Sequence, residues 1–407
     1  MAETPGTVAD FAVREHRSLW LDAWRRLIAS RTARLGMFVV ALFVLSAVLA
    51  HYFWPYDPQV DLDYSLKLTP PRLVGTAESP SVHLFGTDKL GRDIFRRVVH
   101  GGWNSLRVGI VAVGISLLIG GLLGLLSGFY ESIEMVYWER VVLMALIGLA
   151  LGALPAWIAM QAWQALLFAA LGAASAFWPG WLMARPPLRL AAWSGMGLLL
   201  AGGAGLLAAP MVGLVCGVLG LLFGLVLAMP LGGRIFSNVV MRLMDIILSF
   251  PSYLLAIAIV AFLGPGLEKG MIAIGVVGIP IYARLARSAV LSVAQKEYVL
   301  AAQSVGEAHG SILFRHIVPN ILSPIIVQAT MGLANAILSA AALGFLGLGA
   351  IPPEPEWGAM LGDSYRYLAS GAWWAVLFPG LAIMLSVLGF NLLGDGLRDA
   401  LDPKMRI

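Results

Sequence analysis

Charge is what this sequence has least of. Asp, Glu, Lys and Arg together make up 12% of its 407 residues, against 59% hydrophobic residues and a mean hydropathy of +0.84. A soluble chain of this length needs far more charge to cover its surface, so a water-soluble globular protein is excluded. Cysteine is nearly absent. Cys216 is the only one, it lies inside an apolar run, and no disulfide within the chain can form. The six histidines, at 16, 51, 83, 100, 309 and 316, make no pair at ligand spacing, and no metal site is expected. No lysine is followed by Ser or Thr, so the Gly-rich phosphate loop that ends in Lys-Ser/Thr is missing. The chain therefore cannot hydrolyse ATP itself. No nucleophile stands beside a base. Glu354 and Glu356 are close in sequence, but they sit among prolines and are expected to be solvated. No catalytic residue and no cofactor is expected. The net charge of +4 is spread over short loops and helix ends, which excludes a basic nucleic-acid-binding domain.

Long apolar runs are what the sequence has in abundance. They lie near 36–54, 104–128, 141–160, 162–183, 190–209, 211–230, 243–263, 271–291, 321–348 and 373–394. Most approach the ~20 residues that cross a ~30 Å hydrocarbon core as a helix. Within lipid every backbone polar group must be satisfied inside its own segment, which makes such runs helical. The ten-residue alternation of a membrane β-barrel is absent. The fold class is an all-α membrane protein in contact with membrane lipid. Glu3, Asp10, Glu15 and Asp22 precede the first run, a poor match to a cleaved signal peptide. Residues 36–54 are read as a retained signal anchor.

Orientation follows the basic residues. Placing the N-terminus in the cytoplasm puts the arginines of 1–35 inside. Arg140, Arg185, Arg189, Arg234, Arg242, Arg284, Arg287, Lys296 and Arg315 follow, as do Arg398, Lys404 and Arg406 of the tail. Both termini are then cytoplasmic, and the number of spans is even. Trp54 and Trp103 bracket the long outer loop 55–103, in which 88–100 is a candidate interfacial helix, and Trp373-Trp374 open the last span at headgroup level. Charge within the spans is scarce. Asp245 with Arg242, and Arg284 with Arg287, sit near helix ends and are read as interfacial anchors. A self-powered carrier keeps costly ionisable groups near mid-membrane, so that class is disfavoured.

One polar stretch carries a mechanical signal. Glu297-Tyr298-Val299-Leu300-Ala301-Ala302-Gln303-Ser304-Val305-Gly306 reads as a helix broken by glycine. A second helix follows, and Arg315-His316-Ile317-Val318-Pro319-Asn320 reads as a proline stop before the next span. The small Ala301 and Ala302 allow another surface to approach. A helix–turn–helix held between two spans is a lever for force from a soluble partner.

This stretch resembles the coupling loop of binding-protein-dependent ABC importer permeases. The family's spacing is kept from Ala302 to Gly306 and from Gly306 to Pro319, and Leu300 stands where the family has Glu. Other segments are similar to the second-permease subunit of the dipeptide, oligopeptide and nickel branch. They include Phe85-Gly86-Thr87-Asp88-Lys89-Leu90-Gly91-Arg92-Asp93, Ser249-Phe250-Pro251, Trp357-Gly358 and Asn391-Leu392-Leu393-Gly394-Asp395-Gly396-Leu397-Arg398-Asp399. The resemblance implies a permease heterodimer, two ATPase subunits on the cytoplasmic face and an outer solute-binding protein. It implies that Glu297, Ala301, Ala302, Gly306, Pro319 and Asn320 serve ATPase coupling. It also implies that Gly86, Asp88, Gly91, Arg92, Asp93 and Trp357 belong to the face turned to the binding protein. The expected cargo is a short peptide, with a nickel chelate or other small solute as the alternative, and a stand-alone carrier a more distant one.

The domain plan that follows starts with a cytoplasmic segment 1–35 and two core spans over 36–130. An insert of four spans covers 131–232. The remaining core spans cover 233–394, with the coupling loop at 292–320, and the tail covers 395–407. The expectation is a type I permease core of six spans plus four inserted ones. The insert is nearly uncharged and is expected to be a peripheral bundle facing lipid, or alternatively a docking surface for another membrane component.

Overall fold

The computed structural model describes residues 19–54, 56–57, 62–73, 82–134, 139 and 233–401. The spans expected over 141–230 lie outside the described residues. Helices α1 (Leu19–Ala29) and α2 (Arg31–Phe53) open the chain. α3 (Ile94–Ile115) runs through a π-helical turn, Ser116–Gly120, into α4 (Gly121–Ser132). α5 (Gly233–Ser249), α6 (Ser252–Leu263), α7 (Leu267–Ala294) and α8 (Glu297–Ser304) follow. α9 (His309–Ser311) passes through a second π-helical stretch, Ile312–Ile317, into α10 (Val318–Phe345). α11 (Trp357–Ser364) and α12 (Trp374–Leu401) complete the described helices.

Among the described residues, five helical stretches are long and apolar enough to cross a membrane: Arg31–Phe53, Ile94–Ser132, Leu267–Ala294, His309–Phe345 and Trp374–Leu401. A sixth span results if α5 and α6 form one span. The run expected as a single helix over 243–263 is in fact broken at Phe250-Pro251. Proline has no N–H for the helical ladder and restricts the residue before it, so the apolar run continues where the helix does not.

Two further expectations are corrected. The loop expected to run to residue 103 ends at Asp93, because the Asp93 carboxylate accepts from the Arg96 N–H at 2.9 Å and starts α3 there. This side-chain cap satisfies one of the free donors of the first turn. Pro319 was expected to stop a helix, yet helix continues through it from His309 to Phe345. The π-helical stretch just before it widens the turn at the point where the proline ring and the missing N–H must be accommodated.

Two compact units are present. The first is built from Met1–Leu122, Ile246–Leu285 and Val318–Ile407. Its centre is formed by α2, α3, α10 and α12, around Ile94, Ile337, Met360, Trp374, Ile383 and Phe390. Helices pack in lipid by close backbone approach rather than by hydrophobic exclusion, so small residues mark the contact. A Cβ on Gly36 would stand 2.6 Å from the Leu393 nitrogen, and one on Gly389 would stand 2.8 Å from the Val39 side chain. The 36–54 run is thus a packed member of the bundle, seated against α12.

The second unit is built from Leu123–Asp245 and Ala286–Ile317. Its described part packs α4 against α5 through Phe236 and Val240, with Leu123, Leu126 and Tyr130 around them. Arg287 of α7 is not a bare anchor. Its guanidinium donates to Glu131 at 2.9 and 3.0 Å, and Ser237 donates to the same carboxylate at 2.6 Å. Arg242 and Asp245 are 3.9 Å apart and exposed, a geometry in which an ion pair contributes little.

Candidate functional site: a glycine-closed loop and a buried charge knot

The 295–317 stretch of the second unit forms as the helix, break and helix read from sequence. α8 ends in a closed glycine turn. Gly306 adopts φ +77° and donates to the Gln303 carbonyl at 3.0 Å, while Glu307 N–H reaches the Ala302 carbonyl at 3.1 Å. These two bonds satisfy carbonyls at the helix end that would otherwise lack donors, and the left-handed residue between them favours glycine. A Cβ on Gly306 would meet nothing within 4 Å. Backbone conformation, not space, is what requires glycine there.

The alanine pair splits between two faces. Ala302 is buried with Val299, whereas Ala301 is exposed together with Glu297, Gly306, Pro319 and Asn320. Tyr298, Leu300, Val305 and Phe314 are also exposed, at 44%, 49%, 82% and 68%. Exposed apolar side chains of this size on one short polar stretch mark an interaction surface.

Sequence reading does not single out the ion pairs that brace this loop. Glu307 accepts from Ser311 and pairs with His316 Nε2 at 3.0 Å. The Ser311 hydrogen bond holds the Glu307 carboxyl below the usual carboxylate range. His309 Nδ1 pairs with Glu139 at 3.0 Å, which ties the expected insert to the loop within the second unit. The Glu307–Ser311 spacing of one helical turn was a usable signal. The Glu139 contact, across 170 positions, was not.

In the first unit the Phe85–Asp93 motif forms a knot. Asp88, 3% exposed, accepts from the N–H groups of Leu90 and Arg92 at 2.8 and 3.0 Å. Its other oxygen accepts from Arg92 Nε at 2.7 Å and from Arg97. Both arginines are buried as well. Gly91, at φ +80°, lies against the Asp63 carbonyl with no room for a Cβ, and Gly86, at φ +74°, lies against the Trp374 ring. Asp93 caps α3 and pairs with His83 at 2.7 Å. Trp357 is buried and donates from its indole N–H to the Val98 carbonyl at 2.8 Å. Lys89 reaches Asp363 at 2.8 Å, with both side chains about one-third exposed. The motif residues therefore build the scaffold of this surface, and its accessible groups lie around them.

Glu356 corrects the expectation of a solvated pair. Glu354 is exposed, but Glu356 is 2% exposed and caps α11, accepting from Gly358 and Ala359 N–H at 2.8 and 2.7 Å. Burial pushes its carboxyl up to about 7, with the two amides opposing the shift. The fold thus favours the protonated form. That stabilisation is complete below the ordinary value of 4.5 and is lost as pH rises through about 7. The difference is worth about 3 kcal/mol. Thermal unfolding of the purified protein is expected to show stability falling between pH 5 and 8, and the fall is expected to be largely absent in Glu356→Gln. Equal slopes in the two proteins would contradict this reading.

Five helical stretches among the described residues are long and apolar enough to span a membrane, which defines the class as a multi-pass membrane protein. Residues 220–407 match the family described as binding-protein-dependent transport system inner membrane component. Residues 18–71 match the N-terminal TM domain of oligopeptide transport permease C. The dipeptide transport system permease protein of Alkalihalophilus pseudofirmus is 37% identical over 389 residues, covering 96% of this chain and 91% of that relative. The di/tripeptide transport system permease protein of Pseudomonas aeruginosa is 36% identical over 385 residues, covering 95% and 92%. The dipeptide transport system permease protein of Escherichia coli K12 is 53% identical over 168 residues, 41% of this chain and 56% of the relative. Since 168 residues are 56% of it, that relative is about 300 residues long, against 407 here. The chain belongs to the family of binding-protein-dependent transport system permeases.

Proposed function

We propose that this chain is a membrane-spanning subunit of an ATP-driven importer of short peptides and performs no catalysis itself. ATP is hydrolysed by two separate ATPase subunits. A second permease completes a heterodimer, and a solute-binding protein delivers cargo from outside. The observation that carries this reading is the Gly306 turn with its exposed neighbours Leu300, Val305 and Phe314. Such a face suits an apolar groove on an ATPase, with Leu300 supplying apolar contact where the family has a carboxylate. Closure of the ATPases around ATP would move this lever and swing the spans between inward- and outward-facing states.

In this arrangement both termini and the 292–320 loop are cytoplasmic, and the Asp88 knot and α11 support from beneath the outer surface that receives the binding protein. The ten-span plan, six core and four inserted, keeps that orientation. The extra length relative to the Escherichia coli relative supports an insert at 131–232.

Reconstitution tests the proposal. Proteoliposomes holding this chain, the second permease and the ATPases are expected to accumulate a dipeptide only with ATP and binding protein. Accumulation by this chain alone would defeat the reading, as would an assembled complex that moves nickel chelates and no peptide.

A further inference from the structure

The first unit holds a partly open cavity of about 250 Å³ among α3, α6, α7, α10 and the end of α5 that no motif predicted. Its polar lining is Ser116, Ser252, Tyr253, Tyr282, Gln328, Asn335 and Ser339. Three of these lie on α10, and with Gly332 they fall at i, i+4, i+7 and i+11, a single stripe down one side of the helix. The stripe is held in place. Tyr282, 4% exposed, donates its hydroxyl to the Gln328 carbonyl at 3.3 Å, and Gly332 leaves room for that hydroxyl where a Cβ would overlap it. Ser116 donates to the Ala112 and Gly275 carbonyls at 2.9 and 2.7 Å, which fixes the facing wall.

Two features say what the cavity takes. Asn335 is exposed although it lies near the middle of an apolar spanning helix. A carboxamide at that depth is costly against lipid, so it faces something that hydrogen-bonds. The lining also holds no Asp, Glu, Lys, Arg or His among the described residues. Carboxamides and hydroxyls both donate and accept, which complements an amide backbone, and a site without formal charge is indifferent to the sign of its ligand's side chains.

We propose that this cavity is a station on the transport path that holds the peptide backbone through Gln328 and Asn335, and whose neutrality lets side chains of either charge pass. The inference rests on the peptide-importer reading and adds to it the residues that meet the cargo inside the membrane. A nickel ion or its carboxylate chelate finds no ionic partner here.

The test adds a charge. In the full complex with its binding protein, uptake of a Lys-containing and a Glu-containing dipeptide is measured for wild type, Asn335→Asp and Ser339→Asp. Each variant's uptake is divided by that of wild type for the same peptide. The carboxylate is expected to raise the cationic-to-anionic ratio about tenfold, which is about 1.4 kcal/mol of discrimination. Assembly and basal ATP hydrolysis serve as controls, and Ser339→Asp, one turn along, carries the test if Asn335→Asp does not assemble. An unchanged ratio in an assembled variant with normal uptake overturns the cavity's role and leaves the importer reading standing. A wild-type complex that moves neither peptide sinks the importer reading itself.

Discussion

Asp88→Ala is expected to unfold the surface built from residues 62–73 and 82–93 and to lower uptake at least tenfold, while the spanning helices still insert. The physical reason is the charge balance of the knot. One carboxylate, 3% exposed, serves two buried guanidiniums and two backbone N–H groups. Removing one partner from a buried ionic cluster costs about 3–5 kcal/mol, because the remaining charges stay desolvated without compensation. That is a large share of the ~5–15 kcal/mol that holds a typical domain together. Lys89→Ala, at a pair about one-third exposed, is expected to cost well under 1 kcal/mol and serves as the control. Limited proteolysis of the reconstituted complex with protease on both sides of the membrane, read beside dipeptide uptake, distinguishes the two. A protease-resistant Asp88→Ala protein with normal uptake would show that the knot carries no such burden.

Gly306→Val is expected to uncouple the complex. Valine at φ +77° is strained by roughly 1–2 kcal/mol, and β-branching adds to this. Relief of that strain redirects the chain leaving α8 and breaks the bonds to the Ala302 and Gln303 carbonyls. The position is open, so no side-chain clash intervenes and the subunit should insert and assemble. Uptake and substrate-stimulated ATP hydrolysis are expected to fall together by tenfold or more. Gly306→Asn, which tolerates the left-handed region, should retain most of both. Full uptake in the valine variant would end the case for this turn as the transmitting element.

These two positions show why parts of the molecule were legible in sequence. Gly306 was readable because helix termination by a left-handed glycine is local chemistry, complete within a few residues. The spanning runs near 36–54, 271–291, 321–348 and 373–394 were readable because hydrocarbon imposes one solution on a long apolar segment. Pro319 misled for an equally local reason. A proline in soluble helices normally ends the helix, yet Pro319 follows a π-helical stretch and is passed over, and Pro280, Pro324 and Pro379 also lie inside helices. The 243–263 run misled in the opposite sense, since hydropathy does not register the break at Phe250-Pro251.

Asp88 and Glu356 were misjudged because burial is a property of what folds over a residue. Asp88 looked like a surface group of a polar loop, and Glu356 like one of a solvated pair. Pairing with Arg97 and capping of α11 take both out of solvent. The stripe on α10 was equally hidden. Gln328, Asn335 and Ser339 look like tolerated polar residues in a span until Tyr282, Ser116 and Tyr253 close the cavity opposite them.

By itself the sequence determined that this protein lives in a membrane as helices and that a glycine breaks the polar stretch after Glu297. Each of those follows from composition or from bonding between near neighbours. Which charges are buried, where an apolar run breaks and which polar side chains share a cavity were decided only by tertiary structure. They depend on the approach of residues such as Asp63 and Gly91, or Gln328 and Tyr282, whose meeting no local energy term encodes.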